Sequence, residues 1–284
     1  MKHIFRLFTV TLALLCLAIL PAAAASAQDN GERAEYSRIM GELVKIKEQP
    51  TVEVMLKAAL LRQGTRYVAG TLEVEPEQLV VKLKETDCIL YVESCLALAL
   101  TAQSSDTSYA AFCDNIRKLR YRDGKIDGYP SRIHYTSEWI LQAEKNGYVK
   151  EMSKEIAGTP LNQKFSFMSK HADRYKQLAS APAEELLKIS EMETELNSHK
   201  YWYIPKEDIE KYASKIKAGD IVGFCTSNEG LDLSHVGIVV WLNGKLTFIH
   251  ASMGSMKVWI EPRTLQEYAN SIKSNVGVRI IRVL

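Results

Sequence analysis

The sequence predicts a mixed α+β fold, because helical patterns fill its first half and strand patterns fill its C-terminal part. The stretch ETDCILYVESCLALALTAQ, residues 85–103, is apolar on nearly every side, which is typical of a helix inside a core. Near the C-terminus, HVGIVVWL and KLTFIHA are joined by Asn243-Gly244, a strong hairpin signal. A buried helix followed by antiparallel strands indicates an α+β domain.

The N-terminus has the pattern of a secretory signal peptide. Lys2 and Arg6 precede an apolar stretch that ends at Leu20, and small residues follow up to Ala27. We therefore assign residues 1–27 to a signal peptide and expect the mature protein to be exported. No other stretch reaches the roughly 20 apolar residues that a membrane-spanning helix needs, so we expect no membrane association after the signal is removed.

The remaining elements follow in order along the chain. Apolar residues recur at helical spacing in the N-terminal segment, residues 28–50, and a single domain with no clean internal boundary is expected over 51–284. Mixed helical and turn patterns over 123–200 indicate an elaboration on a smaller core. We predict helices at 32–47, 52–62, 108–119, 137–146 and within 170–197, an extended stretch at 79–83, and strands at 221–225, 235–242, 245–251 and 276–284.

Charge and cysteine content exclude some classes of function. The formal net charge is +2, with Lys and Glu interspersed, which argues against nucleic acid as a partner. The cysteines after the signal peptide show neither a CxxC pair nor the regular spacing of a disulfide framework. Cys88 and Cys95 lie two helical turns apart, too far to bridge, whereas a disulfide between Cys113 and Cys225 stays open.

Cys88 is the first candidate for chemistry. It directly follows Asp87, a good N-cap residue, at the start of the buried helix. The positive end of a helix dipole favours a thiolate, and the thiolate is the nucleophilic form of cysteine. Position alone is equally compatible with a buried structural cysteine.

Two histidines support the interpretation of Cys88 as a nucleophile. A two-residue loop at Asn243-Gly244 places His235 opposite Ser252 and His250 opposite Gly237, so both histidines lie on one face of the sheet as diagonal neighbours. We expect Gly237 to let the helix N-terminus approach that face. A metal pair is the alternative, but no third protein ligand is evident, and we predict neither metal nor cofactor.

These parts suggest acyl transfer by a thiol. His235 would take the proton of Cys88, the thiolate would attack a carbonyl, and His250 would orient the His235 ring. The backbone amide of Cys88 is a natural oxyanion donor. Tyr67 is a candidate for a further hydrogen bond, and a half-buried core tyrosine is the alternative.

The chain resembles the N-acetylmuramoyl-L-alanine amidase-like proteins, a branch of the NlpC-type papain-like cell-wall hydrolases. The resemblance runs from about residue 52 to the C-terminus. It implies a papain-like NlpC-type fold, with Cys88, His235 and His250 as catalytic residues. The motifs that carry it are RYVAGTLE, DCILYVE, YRDGKIDGYPSRIHYTSEWI, FSFMSKH, IKAGDIVGF, GLDLSHVGIVV and FIHAS.

The resemblance also implies a substrate, the amide between N-acetylmuramic acid and L-alanine in peptidoglycan or in soluble muropeptide fragments. That substrate makes the periplasm the expected destination. One departure is that Ile89 and Leu90 follow the cysteine where family members usually carry hydroxyl residues. An endopeptidase that cuts within the stem peptide and a non-catalytic peptidoglycan-binding protein are the alternative functions.

The segment SRIHYTSEW supplies candidate substrate contacts. Arg132 has the planar fork that pairs with stem-peptide carboxylates, and His134 and Tyr135 offer polar edges and stacking surfaces. Asp232, just before the His235 strand, is a candidate for capping or orienting the site. The alternative for all of them is that they pack on the core.

Overall fold

The computed structural model describes residues 29–284, so the signal-peptide prediction for residues 1–27 lies outside the described part of the chain. The fold is α+β. Helix α1 covers 29–43 and a 3₁₀ turn covers Val44–Ile46; α2 spans Thr51–Leu61, α3 Cys88–Gln103 and α4 Tyr109–Arg120. These bounds confirm the helices predicted from apolar spacing in the first half of the chain.

Helix α3 is the centre of the structure. It is buried along almost its whole length from Leu90 to Ala102 and packs against α2, α4 and the sheet. Its apolar composition on every side follows from this position, because a helix surrounded by other elements has no face left for solvent. Helix α1 packs into the same core through Ile39 and Leu43, so the N-terminal segment is not a separate domain.

The sheet has ten strands and is antiparallel, apart from the short parallel pair β1 and β2. Its order is β2-β1-β9-β8-β7-β6-β10-β5-β4, and β3 also pairs with β10. The strands are β1 Arg66–Tyr67, β2 Glu85–Thr86, β3 Val149–Glu151, β4 Thr159–Leu161, β5 Tyr201–Pro205, β6 Ile221–Thr226, β7 Leu233–Leu242, β8 Lys245–Ser252, β9 Lys257–Ile260 and β10 Asn275–Val283.

The β7–β8 hairpin has the predicted register. Leu242 pairs with Lys245 and Ile238 with Ile249. Asn243 and Gly244 both have positive φ, 51° and 76°, as a two-residue hairpin loop of this kind requires. The stretch predicted to be extended, 79–83, is not helical and leads into strand β2, but it does not itself pair in the sheet.

The sheet is covered on both faces. On one face, Val236 and Ile238 pack with α3 in the main core. On the other face, Phe224 and Phe248 pack with helix α10, Leu265–Ser271. Both faces of the central strands are therefore apolar, and burial of each face contributes to stability in proportion to the area removed from water.

The predicted elaboration over 123–200 encloses a third, smaller core. Helix α9, Ala183–Leu196, contributes Ile189 and Leu196 to it, together with Phe165. Four further helices lie in this part of the chain: α5 Thr136–Lys145, α6 Ser153–Ile156, α7 Phe167–Lys170 and α8 Lys176–Ala179. The sequence indicated helical structure here, but not the breaks between α7, α8 and α9.

Within residues 29–284, no helix combines the length and the apolar character needed to cross a bilayer. The four cysteines in this range are free, so the disulfide that stayed open between Cys113 and Cys225 is not formed. Cys225 is instead fully buried in the main core.

Candidate active site

Cys88 occupies the first turn of α3, as the sequence predicted. The Asp87 side chain caps the helix by accepting a hydrogen bond from the Leu90 amide at 3.0 Å. The cap uses an amide that has no acceptor inside the helix, which fixes where the helix begins. Cys88 is half-buried, and the backbone amide of Val236 on β7 points toward its thiol.

The two histidines are in direct contact. Nε2 of His235 on β7 lies 2.6 Å from Nδ1 of His250 on β8, and the two rings meet edge to face. His250 is 1% exposed. The hairpin register alone predicted this pairing, and the structure confirms it.

The role expected for Gly237 was wrong. Helix α3 packs on the opposite face of the sheet, against Val236 and Ile238, and not on the face that carries Gly237. That space belongs to the neighbouring strand: a Cβ at Gly237 would lie 2.6 Å from the Phe248 ring and 3.2 Å from Cβ of His250. Gly237 therefore makes room for the residues that hold the second histidine.

Burial keeps the site uncharged at rest. Burial, and then the negative charge of Asp87, raise the pKa of the Cys88 thiol to about 12, although the amides of Val236 and Ile89 oppose the rise. The amides at the helix N-terminus lower the pKa of Cys88, in the predicted direction, but burial outweighs them. Burial also lowers the pKa of His235 to about 3 and that of His250 to about 4. A neutral thiol beside neutral imidazoles is suited to general-base activation rather than to a preformed ion pair.

Three residues that the sequence reasoning missed complete the surroundings of the histidines. Nε1 of Trp259 on β9 lies 3.1 Å from Nε2 of His250, and Oε2 of Glu261 lies 3.6 Å from the same nitrogen. The Tyr268 ring of α10 lies against both imidazoles, with centroid separations of 6.2 Å to His235 and 5.6 Å to His250. The apolar pattern after FIHAS was the available signal for β9.

Tyr67 stays a candidate contact near the nucleophile. Burial, and then the charge of a Cys88 thiolate, raise the pKa of its phenol. Its backbone amide donates to the Met256 carbonyl at 3.0 Å, which ties β1 to the turn before β9. Tyr67 is half-buried, which is compatible with a hydrogen bond in the site and equally with a core tyrosine.

The structure does not bring Arg132 to the surface of the site. Its side chain is 4% exposed, and its guanidinium donates to Oε1 of Glu73 at 2.8 Å and to the Leu72 carbonyl at 3.1 Å. Nε2 of His134 lies 3.0 Å from the Tyr129 carbonyl. Burial lowers the pKa of His134 to about 3. These placements favour the alternative that the segment packs on the core.

Tyr135 and Asp232 are also engaged within the protein. The Tyr135 hydroxyl donates to Oε1 of Glu193 at 2.8 Å, and Oδ2 of Asp232 accepts from the Ser137 amide at 2.6 Å. Both residues are 2% exposed. Asp232 thus caps helix α5 and ties it to the start of β7.

Comparison with known proteins finds one matching family and several similar solved structures. The family described as AmiA-like, N-acetylmuramoyl-L-alanine amidase-like, matches residues 58–278. A crystal structure of an N-acetylmuramoyl-L-alanine amidase from Bacteroides uniformis ATCC 8492 is 36% identical, with a TM-score of 0.78, over 82% of this chain and 99% of that one. No curated protein matches.

Two other solved structures resemble the chain. One from Bacteroides fragilis, provisionally named a xylanase, is 36% identical with a TM-score of 0.74 and covers 79% of this chain and 98% of its own. One from Legionella pneumophila str. Philadelphia 1 is 22% identical with a TM-score of 0.66, over 91% of this chain and 96% of that one, and shows the fold alone. The family match over most of the sequence settles the assignment: this chain belongs to the AmiA-like, N-acetylmuramoyl-L-alanine amidase-like family.

Proposed function

We propose that this chain is an exported cysteine amidase that hydrolyses the bond between N-acetylmuramic acid and L-alanine in peptidoglycan or its fragments. The observation that carries the proposal is the contact between His235 and His250, together with the amide of Val236, the residue after His235, which points toward the Cys88 thiol. A nucleophile, a base and a residue that orients the base are the parts that thiol acyl transfer needs. The description of the family indicates which bond is cleaved, the amide between N-acetylmuramic acid and L-alanine.

The proposed reaction begins with a neutral site. Nδ1 of His235 takes the Cys88 proton as sulfur attacks the carbonyl carbon of the muramoyl amide. The imidazolium then gives this proton to the leaving L-alanine nitrogen, and a thioester remains on Cys88. Water, deprotonated by His235, attacks the thioester carbonyl carbon; the C–S bond then breaks, the acid is released, and the His235 imidazolium returns the proton to the Cys88 sulfur. The Cys88 amide at the helix N-terminus stabilises the oxyanion formed in each half of the reaction.

The proposal includes the wider setting of the site. We place the fold in the papain-like NlpC-type branch, on the support of a cysteine at the start of a buried helix and a histidine pair on an adjacent antiparallel sheet. We place the mature protein in the periplasm, on the support of the signal-peptide pattern and the substrate class. Tyr67 is the half-buried group available for a substrate hydrogen bond near the thiol.

The test compares the mature protein with Cys88→Ser and with a matched control, Cys113→Ser. Cys113 is also a half-buried free cysteine, but it lies on α4, away from the histidines. Each protein is incubated with purified muropeptides, including soluble anhydro-fragments, and the products are identified by mass spectrometry. We expect wild type and Cys113→Ser to release an intact stem peptide that begins with L-alanine, and Cys88→Ser to release none.

Other products would identify other functions. A dipeptide left on the sugar would show the endopeptidase, and the absence of cleavage together with retained binding would show the peptidoglycan-binding protein. The xylanase name of the Bacteroides fragilis structure is not favoured for this chain, since glycosidases generally need two carboxyl groups at the scissile bond. Of the carboxylates near the thiol and the two imidazoles, Asp87 caps the helix, and Glu261 is 1% exposed and pairs with Arg263.

A further inference from the structure

Glu261, directly after β9, carries a buried carboxylate oxygen that lacks a partner. The residue is 1% exposed. Its Oε1 accepts from Nε of Arg263 at 2.6 Å and from the Arg263 amide at 3.2 Å. Its Oε2 has no hydrogen-bond partner among the described residues, and it lies 3.6 Å from Nε2 of His250. A buried carboxylate oxygen without a hydrogen-bond partner destabilises the folded state, so its position beside a histidine of the site needs a physical explanation.

Two neighbours make opposite demands on Nε2 of His250. The indole of Trp259, 3.1 Å away, can only donate, so it requires a lone pair on Nε2. The carboxylate of Glu261 can only accept while it is ionised, so it requires a proton on Nε2. The 3.6 Å separation needs to close by only about 0.6 Å to reach an ordinary hydrogen bond.

The position of the proton on His250 determines the position of the proton on His235, because the two rings are joined by the 2.6 Å contact. When Nε2 of neutral His250 accepts from Trp259, its proton sits on Nδ1 and is donated to Nε2 of His235. Neutral His235 then keeps its own proton on Nδ1 and cannot accept another there. When Nε2 of His250 instead donates to Glu261, Nδ1 of His250 accepts from Nε2 of His235, and Nδ1 of His235 is free.

We propose that Glu261 is a positioning residue that selects the His250 tautomer in which Nδ1 of His235 is free to take the Cys88 proton, and that Trp259 favours the opposite, inactive tautomer. The inference rests on the proposed function, in which His235 is the base. The negative charge of Glu261 also favours the imidazolium that forms on His235 when Cys88 is deprotonated. No proton moves onto Glu261 in this scheme.

The charged and titratable groups around the pair come from each neighbouring element. Arg263 fixes one oxygen of Glu261 and leaves the other turned to His250. Tyr268 of α10 covers both rings, and burial, followed by the charge of Glu261, raises the pKa of its phenol to about 12. Cys88 and Asp87 approach from the start of α3. Glu261 is thus the anion that directly faces His250.

The first test reads the tautomers without any substrate. Full-length mature protein with ¹⁵N-labelled histidine is compared with Glu261→Gln and Trp259→Phe by NMR at pH 7, and the His250 signals are assigned with a His250→Gln variant. We expect both site histidines to carry their proton on Nε2 in wild type and in Trp259→Phe. In Glu261→Gln the amide can donate to His250, and we expect both protons to move to Nδ1.

The second test reads the chemistry. The rate of Cys88 alkylation by iodoacetamide against pH, and kcat and KM on muropeptides, are measured for the same variants. We expect Glu261→Gln to lower kcat by about 10–100-fold with little change in KM, as for other residues that orient a functional histidine. Glu261→Asp should recover part of the loss. Trp259→Phe removes the donor that opposes Glu261, so any fall in kcat should be smaller than in Glu261→Gln, whereas the surface control Glu155→Gln should not differ from wild type.

Two results would overturn the inference. One is an unchanged tautomer and unchanged alkylation profile in Glu261→Gln. The other is a loss of activity in Trp259→Phe as large as in Glu261→Gln, which would point to packing instead of tautomer choice. Because the NMR and alkylation measurements need no substrate, a tautomer shift with slowed alkylation supports the inference even where muropeptides are not cleaved, and that failure would count against the proposed function alone.

Discussion

Replacing Gly237 by alanine should destabilise the protein and displace His250. The added Cβ would lie 2.6 Å from the Phe248 ring, 3.1 Å from the Ile249 carbonyl and 3.2 Å from Cβ of His250. The carbonyl belongs to a paired strand and cannot move freely, so the strain falls on the two side chains. Overpacking of a filled core costs about 1–3 kcal/mol.

The expected cost converts to a measurable shift in melting temperature. For a domain of this size, 1 kcal/mol corresponds to about 2–4 °C, so Gly237→Ala should melt about 2–12 °C below wild type. Thermal unfolding followed by circular dichroism gives this shift. Amidase activity should fall further than stability alone explains, because the 2.6 Å contact between the histidines depends on the position of His250.

Two other glycines serve as controls. At Gly254 an added Cβ meets only Ser252 Oγ, at 3.8 Å, so alanine there should leave the melting temperature unchanged. At Gly41, in helix α1, nothing lies within 4 Å, and alanine should stabilise the protein by about 0.5–1 kcal/mol. A Gly237→Ala protein with wild-type melting temperature and activity would refute the packing described around His250.

Three further predictions test other parts of the structure. Acid should destabilise the fold: burial lowers the pKa of His235 to about 3 and of His250 to about 4, so the unfolded chain binds more protons below about pH 6.5. Stability is therefore lost as pH falls from 6.5 toward these values, and equal urea midpoints at pH 7 and pH 5 would contradict this. Arg279→Met should lower the free energy of unfolding in urea by about 3–5 kcal/mol, because it leaves the partly buried carboxylate of Glu151 without its partner. Lys145→Ala removes only the exposed ion pair with Asp123 and should cost less than about 1 kcal/mol. Thr264→Ala removes the capping box of α10 and should cost about 1 kcal/mol in thermal melts; no change would mean that the cap is not used in solution.

The part of the site that the sequence predicted is the part fixed by local rules. The Asn243-Gly244 loop sets the hairpin register, and register decides that His235 and His250 share a face. Asp87 marks the start of a helix by its capping chemistry, which placed Cys88 in the first turn. These inferences needed only residues close in sequence.

The rest depends on contacts that no local pattern encodes. Both faces of the hairpin are apolar, so alternation could not show that α3 covers the Val236 face and α10 the Phe248 face. The turn into β9 contains Met256 with φ of 55°, a left-handed residue without the usual Gly or Asn signature, so the register that brings Trp259 to His250 could not be derived. Arg132 looked available because its partner, Glu73, lies far away in sequence.

Strand β10 has a consequence for how the molecule is made. The last strand of the described chain lies inside the sheet, between β6 on one side and β5 and β3 on the other. A chain synthesised from its N-terminus therefore leaves the edges of β6 and β5 without their partner until residues 275–283 have emerged. The sheet that carries the two histidines is completed only when β10 pairs with β6, so the earlier strands reach their final arrangement late in folding.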